Sequence, residues 1–119
     1  MLYTACVSVL DKVKRKMKVY HVVQHHGNDV VVPDQQDLEQ YLNGVLTWQG
    51  FRVNYLAKLM RAEAEEWMSR VSGEAVSEDV VLVSEEEDVE HLYRIQLAEM
   101  MISMFSGQMK IRYMGELKV

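Results

Sequence analysis

Apolar and polar positions along the chain change period several times, and each change marks an expected element. Leu2 to Val9 mixes Val, Tyr, Thr and Ala without a helical stripe, which predicts a strand. From Val13 to His25 the period is two, with Val13, Met17, Val19 and Val23 on one parity and Lys12, Lys14, Lys16, Lys18 and Tyr20 on the other. A second strand is expected there. It should turn at Gly27 and Asn28, a pair suited to the positive φ values of a two-residue hairpin, and return through Val30 to Val32.

Beyond Pro33 the period becomes helical. Asp34 stands where a cap is wanted and Asp37 falls in the first turn, near the positive end of the helix dipole. Leu38, Tyr41, Leu42, Val45 and Leu46 recur at the spacing of one helical face, so a first helix should run to Gly50. A second, from about Phe51 to Val71, turns Val53, Leu56, Met60, Ala64, Trp67 and Val71 inward. Its outer side carries Arg61 with Glu65 and Glu66 with Arg70, and Gly73 stops it. "DVVLV", Asp79 to Val83, is a short apolar run bounded by charge and predicts a buried strand. Ser84 and Glu87 then spell an S-x-x-E capping box. A third helix should follow to about Phe105, with Val89, Tyr93, Leu97, Met100 and Met104 inward. After Gly107, "QMKIRYM" alternates as a terminal strand, followed across Gly115 by "ELKV".

The expected fold is therefore α+β: a mostly antiparallel sheet, made of an N-terminal β-hairpin plus C-terminal strands, with three helices packed on one face. At 119 residues, without a Pro/Gly/Ser-rich linker, one domain over 1–119 is expected. Ordinary apolar and charged content argues against wholesale disorder. Cys6 stands alone and has no internal disulfide partner. "MLYTACVSVL" lacks the cationic start of a leader, and no run approaches the ~20 apolar residues that span a bilayer. A cytoplasmic setting is expected, or the host cytoplasm if the chain is viral.

Charge is segregated. Asp11 to Lys18 holds five cations and one anion, so the rest of a chain of net charge −5 sums to −9. From Glu74 to Glu90 there are eight acidic residues and no Lys or Arg, an arrangement that favours oriented binding.

His21, His25 and His26 are three of the four histidines. On a strand, His21 and His25 would share a face about 13 Å apart. Two ligands of one zinc, each about 2 Å from the metal, lie within about 4 Å of each other. His25 and His26 would point to opposite faces, so a hairpin surface is expected here and no metal or cofactor. His91 should lie on the wet side of the third helix beside Glu87. Cys6, between Ala5 and Val7, fits a small core residue better than a nucleophile. No P-loop, G-x-G-x-x-G, G-x-S-x-G, C-x-x-C or H-E-x-x-H occurs. The acidic run Glu85 to Asp88 would fan around a helix and cannot face one ion.

Two surfaces remain as candidates for binding. The third helix carries Leu92, Ile95, Met101, Ile102 and Phe105 outside its inward stripe. A helix apolar on two sides is sandwiched within its chain or packed on another. Met100, Met101 and Met104 add flexible contact groups. The other surface is the basic strand of Lys12, Lys14, Arg15, Lys16 and Lys18 with Tyr20, a pattern that tracks phosphates and stacks a base, or else protects a sheet edge. The expected function is a small non-enzymatic protein-interaction module: a viral, phage or accessory factor that binds and inhibits a larger host protein, and forms a homodimer through the third helix. One alternative is a nucleic-acid-binding accessory protein using the basic strand. Another is a cryptic metal-binding protein or small enzyme around His21, His25 and Cys6.

Overall fold

The computed structural model of the chain describes residues 1–13, 15–87 and 91–118. Its elements, in order, are β1 (Leu2–Cys6), α1 (Val7–Leu10), β2 (Lys18–His21), a 3-10 turn (Asp29–Val31), α2 (Gln35–Leu42), α3 (Trp48–Leu59), α4 (Ala62–Ser77), β3 (Val80–Ser84), α5 (Tyr93–Phe105) and β4 (Tyr113–Glu116). The mixture of helix and strand is as expected. The sheet is not: its order is β2-β3-β1-β4 and every neighbouring pair is parallel. Five α-helices stand among the described residues where three were expected.

The composition of the two central strands explains the parallel sheet. Every residue of β1 and of β3 is buried, so neither face is left for water. Parallel sheets are covered on both faces by their crossover connections, and their strands read as continuous apolar runs. The alternating faces are visible in the packing. Leu2, Val80 and Leu82 join Trp67, Met68, Leu97 and Met101 in the main core, on the side of α4 and α5. Tyr3, Ala5, Val81 and Val83 form a second, smaller cluster on the other face, covered by Leu10 of α1 and by Met17, Val19 and Leu117. Helices on one face alone would have left that second cluster wet.

The expected hairpin is absent. Positive φ occurs at His25 and Gly27, whereas Asn28 has φ −118°. The chain then enters the 3-10 turn instead of returning as a strand. Side chains take the hydrogen bonds that a hairpin would have used. Tyr93 Oη donates to the Val22 carbonyl at 2.6 Å, and Tyr55 Oη to the Val31 carbonyl at 2.5 Å. Asn28 Nδ2 donates to the His21 carbonyl at 2.9 Å. Val22, Val31 and Val32 are thereby pinned inside the main core. Lys18 is the only lysine of the expected stripe that lies in a strand: Lys12 and Lys16 are in the connection before β2, and Lys14 lies outside the described residues.

Helix limits also differ from expectation. Gly44, at φ +76°, follows α2 and ends its run, so Leu42 and Val45 are 70% and 75% exposed instead of packed inward. Asp34 occupies the N-cap position of α2, but its carboxylate pairs with Lys58 at 3.0 Å and makes no cap bond. Gly50 begins a helix rather than ending one: its N–H donates to Oγ1 of Thr47, the N-cap of α3. The long second helix is broken between Met60 and Arg61, where Arg61 takes an extended conformation. The break shifts the inward face. Phe51, Tyr55 and Leu59 are buried in α3, leaving Val53 and Met60 exposed, while Ala64, Trp67 and Val71 are buried in α4 as expected. Gly73 does not stop α4, which continues to Ser77.

Ser72, on the buried side of α4, is fully enclosed, and among the described residues its hydroxyl has no hydrogen-bond partner. A buried hydroxyl without a partner costs about 1–3 kcal/mol, and alanine is the better helix former. Ser72→Ala should therefore raise stability by about 1 kcal/mol in urea denaturation. A loss of stability would show that the hydroxyl makes a bond in solution.

Candidate functional site at the carboxyl ends of the strands

The order of the strands creates the site. From β1 the chain crosses over β3 to reach β2, covering the face of Tyr3 and Ala5. From β3 it crosses back over β1 to reach β4, with α5 packed on the opposite face. Beyond Cys6 and Ser84 the chain therefore leaves in opposite directions. In open parallel sheets such a switch point opens a crevice at the carboxyl ends of the strands, where ligands bind. At this end of the sheet, beside β1 and β4, is a recess of about 470 Å³, with Cys6 and Ser8 on one side, Glu116 and Leu117 on another, and Leu92 and Ile95 of the α5 entry on a third.

Arg94 lies at its base and is 1% exposed. Its Nε and Nη2 form a two-pronged contact with Glu116 at 3.0 and 2.6 Å. Its Nη1 donates to Ser84 Oγ and to the Glu86 carbonyl, each at 2.9 Å, with the Glu86 carboxylate 3.5 Å away. One guanidinium thus ties the end of β3, the start of α5 and β4. Glu86 bonds to Ser84 Oγ and accepts the Tyr93 N–H at 2.9 Å, capping the first turn of α5. The expected capping box is overturned by this contact. Ser84 is the last residue of β3, Glu87 lies before the helix, and α5 begins at Tyr93. Val89, assigned to the inward stripe, lies outside the described residues. Burial pushes the Glu86 carboxyl above its usual pKa, against the pull of Ser84, the Tyr93 N–H and Arg94. Two carboxylates share one cation, so the cluster carries a formal charge of −1.

On the far side of Leu92 and Ile95 is a second recess, also about 470 Å³, between α3 and α5. Trp48, Arg52 and Leu56 face Gln96, Glu99 and Met100 across it. Gln96 Nε2 donates to the Arg52 carbonyl at 3.1 Å, and the buried Gln96 Oε1 has no partner among the described residues.

The residues singled out from sequence fall in different places. Met101 and Phe105 are buried in the main core, and Ile102 packs half-buried against it. Leu92 is also buried and Ile95 is half-buried, and these two form the ridge between the two recesses. The apolar residues on both sides of α5 are largely accounted for within the chain, by the sheet on one side and α4 on the other.

In the basic segment, Arg15 donates to Tyr3 Oη at 2.8 Å and to Asp79 at 2.9 Å. Lys18 pairs with Glu74, which also accepts from Tyr20 Oη, and the Tyr20 ring meets Trp67 edge-on. Lys12 and Lys16 are exposed.

His21 stacks on His26 with centroids 5.3 Å apart, at the far edge of the sheet from Cys6. β3 lies between them, a separation of about 10 Å across two strand spacings. Cys6 Sγ instead accepts from Ser8 Oγ at 3.2 Å. No group of three His, Cys, Asp or Glu side chains among the described residues is placed to hold a metal. His91 precedes α5 and stacks on Trp48 at 4.7 Å, so it does not sit on a helix beside Glu87.

Arg94 and Glu116 were missed from sequence. The available signal was a lone cation in "LYRIQLAEMM", since a charge inside an apolar helical run has to be paired. The class defined by fold and site is a helix-and-strand protein on an all-parallel sheet, with a charged crevice at its carboxyl edge. Comparison of the chain with family models, with curated proteins and with solved structures gave no match. No helix among the described residues is long and apolar enough to cross a membrane.

Arg94→Met would leave two carboxylates facing each other in a buried site, at a cost of about 3–5 kcal/mol. A carboxyl whose folded-state pKa is raised binds its proton more tightly in the folded state, so its stability contribution is present at low pH and lost as pH rises through the folded value. The deficit of Arg94→Met relative to wild type should accordingly be largest at neutral pH and shrink toward about pH 4.5, near the ordinary Glu value. Paired denaturation curves across that range provide the check, and a deficit independent of pH would contradict the assignment.

Proposed function

We propose that the chain is a non-enzymatic protein-interaction module whose contact surface is the Leu92–Ile95 ridge with the recess between α3 and α5. The supporting observation is the position of Ile95, a half-buried apolar side chain at the start of a helix that lines an open recess on either side. Such a ridge and groove suit an apolar partner side chain or the apolar face of a partner helix. Arg52 and Glu99 at the groove supply charges of both signs for orientation. Arg94 is engaged by two carboxylates and a serine, which fits a role in holding elements together more than one in facing a substrate.

Ile95→Glu tests this reading. The variant should keep its circular dichroism and stay within about 1 kcal/mol of wild-type stability, as expected for a surface change. It should also lose at least 10-fold in self-association by sedimentation, or in recovery of a wild-type partner by affinity capture. Ile102→Glu, at a position packed on the core, should instead destabilise the fold. Partner recovery or self-association unchanged by Ile95→Glu would remove the ridge from consideration.

A further inference from the structure

Neither recess beside the ridge includes a residue of β2, the outermost strand at the edge opposite β4. Its one neighbour is β3. Lys18 N–H donates to the Asp79 carbonyl and Val22 N–H to the Val83 carbonyl, each at 2.9 Å. In a ladder every second residue turns its backbone groups to the same neighbour, so Tyr20 faces β3 as well, and Val19 and His21 face outward. The chain answers one of these outward groups itself, since Asn28 Nδ2 donates to the His21 carbonyl at 2.9 Å. The Val19 N–H and carbonyl and the His21 N–H have no hydrogen-bond partner among the described residues. An unpaired strand edge of this kind accepts an added strand.

The approach to this edge is cationic. Lys16, two residues before β2, is exposed, as is Lys12, and neither has a carboxylate partner among the described residues. Lys18 keeps 44% of its side chain exposed while pairing with Glu74, and Arg15 pairs with Asp79. Lys12, Arg15, Lys16 and Lys18 thus meet three carboxylates, those of Asp11, Glu74 and Asp79, and the segment stays positive before the charge of Lys14 is counted. Antiparallel pairing of β2 with the β2 of a second copy would bring two sets of these lysines to one edge, and like charges across a strand pair are destabilising. A strand that carries carboxylates escapes that repulsion and gains opposite-charge pairs with Lys16 and Lys18.

We infer that the outer edge of β2 takes an extended acidic segment of a partner protein as an added strand, hydrogen-bonded through Val19 and His21 and oriented by Lys16 and Lys18. This surface is separate from the Leu92–Ile95 ridge and is tested independently of it.

The experiment is a titration of the full chain, labelled with nitrogen-15, with a blocked peptide of alternating Glu and Val, following backbone amide signals and their hydrogen exchange. The Val19 and His21 amides should shift saturably and gain protection, whereas that of Val22, already bonded to Val83, should gain none. A blocked peptide of alternating Lys and Val should bind about 10-fold more weakly or worse. Lys16→Glu should weaken the acidic peptide by about 10-fold and reduce the salt dependence of its binding. Val19→Pro removes an outward donor at an edge position, where proline is tolerated, and should abolish the protection of His21. Lys16→Glu, at an exposed site outside the strand, keeps the test valid if Val19→Pro fails to fold. Absence of a saturable change at Val19 and His21, equal binding of the Lys and Val peptide, or undiminished binding to Lys16→Glu would each overturn the inference. Protection of His21 retained in a folded Val19→Pro would show contact without strand addition and overturn it too. Displacement of the peptide by a lower concentration of oligothymidylate would assign the lysines to nucleic acid instead.

Discussion

Burial of β1 and β3 on both faces is the constraint from which the rest of the architecture follows. A strand with one wet face can pair with a neighbour through a short hairpin, but one with two dry faces needs cover above and below. In this chain the cover comes from the connections themselves: α1 and the segment before β2 on one side, α4 and α5 on the other. Because the connections cross in opposite directions, they part at the carboxyl ends of β1 and β3. The crevice is thus a by-product of covering the sheet.

Polar groups at that crevice are answered mainly by Arg94 and Glu86. A helix entering beside a sheet leaves its first N–H groups without partners, and Leu92, the residue before α5, has no side chain able to accept them. The carboxylate of Glu86 reaches forward to do so while also bonding Ser84. Its negative charge would be costly to bury without a cation, and Arg94, one residue into the helix, supplies it. Capping, charge compensation and the attachment of β4 are therefore one network.

Much of the element order was legible in the pattern of apolar positions, and the relations between elements were not. The strands at β1 and β3 and the helices α2, α4 and α5 all lie within runs whose periodicity indicates them. Periodicity reports which side chains avoid water, however, and not which strand lies alongside. The continuous apolar run "VVLV" was the sign of two-sided burial and hence of a parallel sheet, yet it is equally compatible with a buried antiparallel strand. The period-two pattern of Lys12 to Lys18 falls mostly on the connection before β2, whose described residues from Lys12 onward place only Met17 against the second cluster. The break at Met60 and Arg61 has no Gly or Pro to mark it, and the S-x-x-E signal at Ser84 was misleading because Glu86 makes the cap from outside the helix. Of the residues assigned to binding, Ile95 is half-buried and lines two recesses, while Met101 and Phe105 share its helix but face inward.

The placement of β1 between β3 and β4 has a kinetic consequence. Leu2 pairs with Val80 on one side and with Tyr113 on the other, so the first strand of the described chain finds its partners only near the opposite end. Every pairing in the sheet is non-local, and loop closure over such distances has to precede the contacts that reward it. Folding in the slower, millisecond-to-second regime follows for a chain of this topology. During synthesis, the first strand would emerge as an apolar segment with two sticky faces and wait there until nearly two-thirds of the chain had followed it.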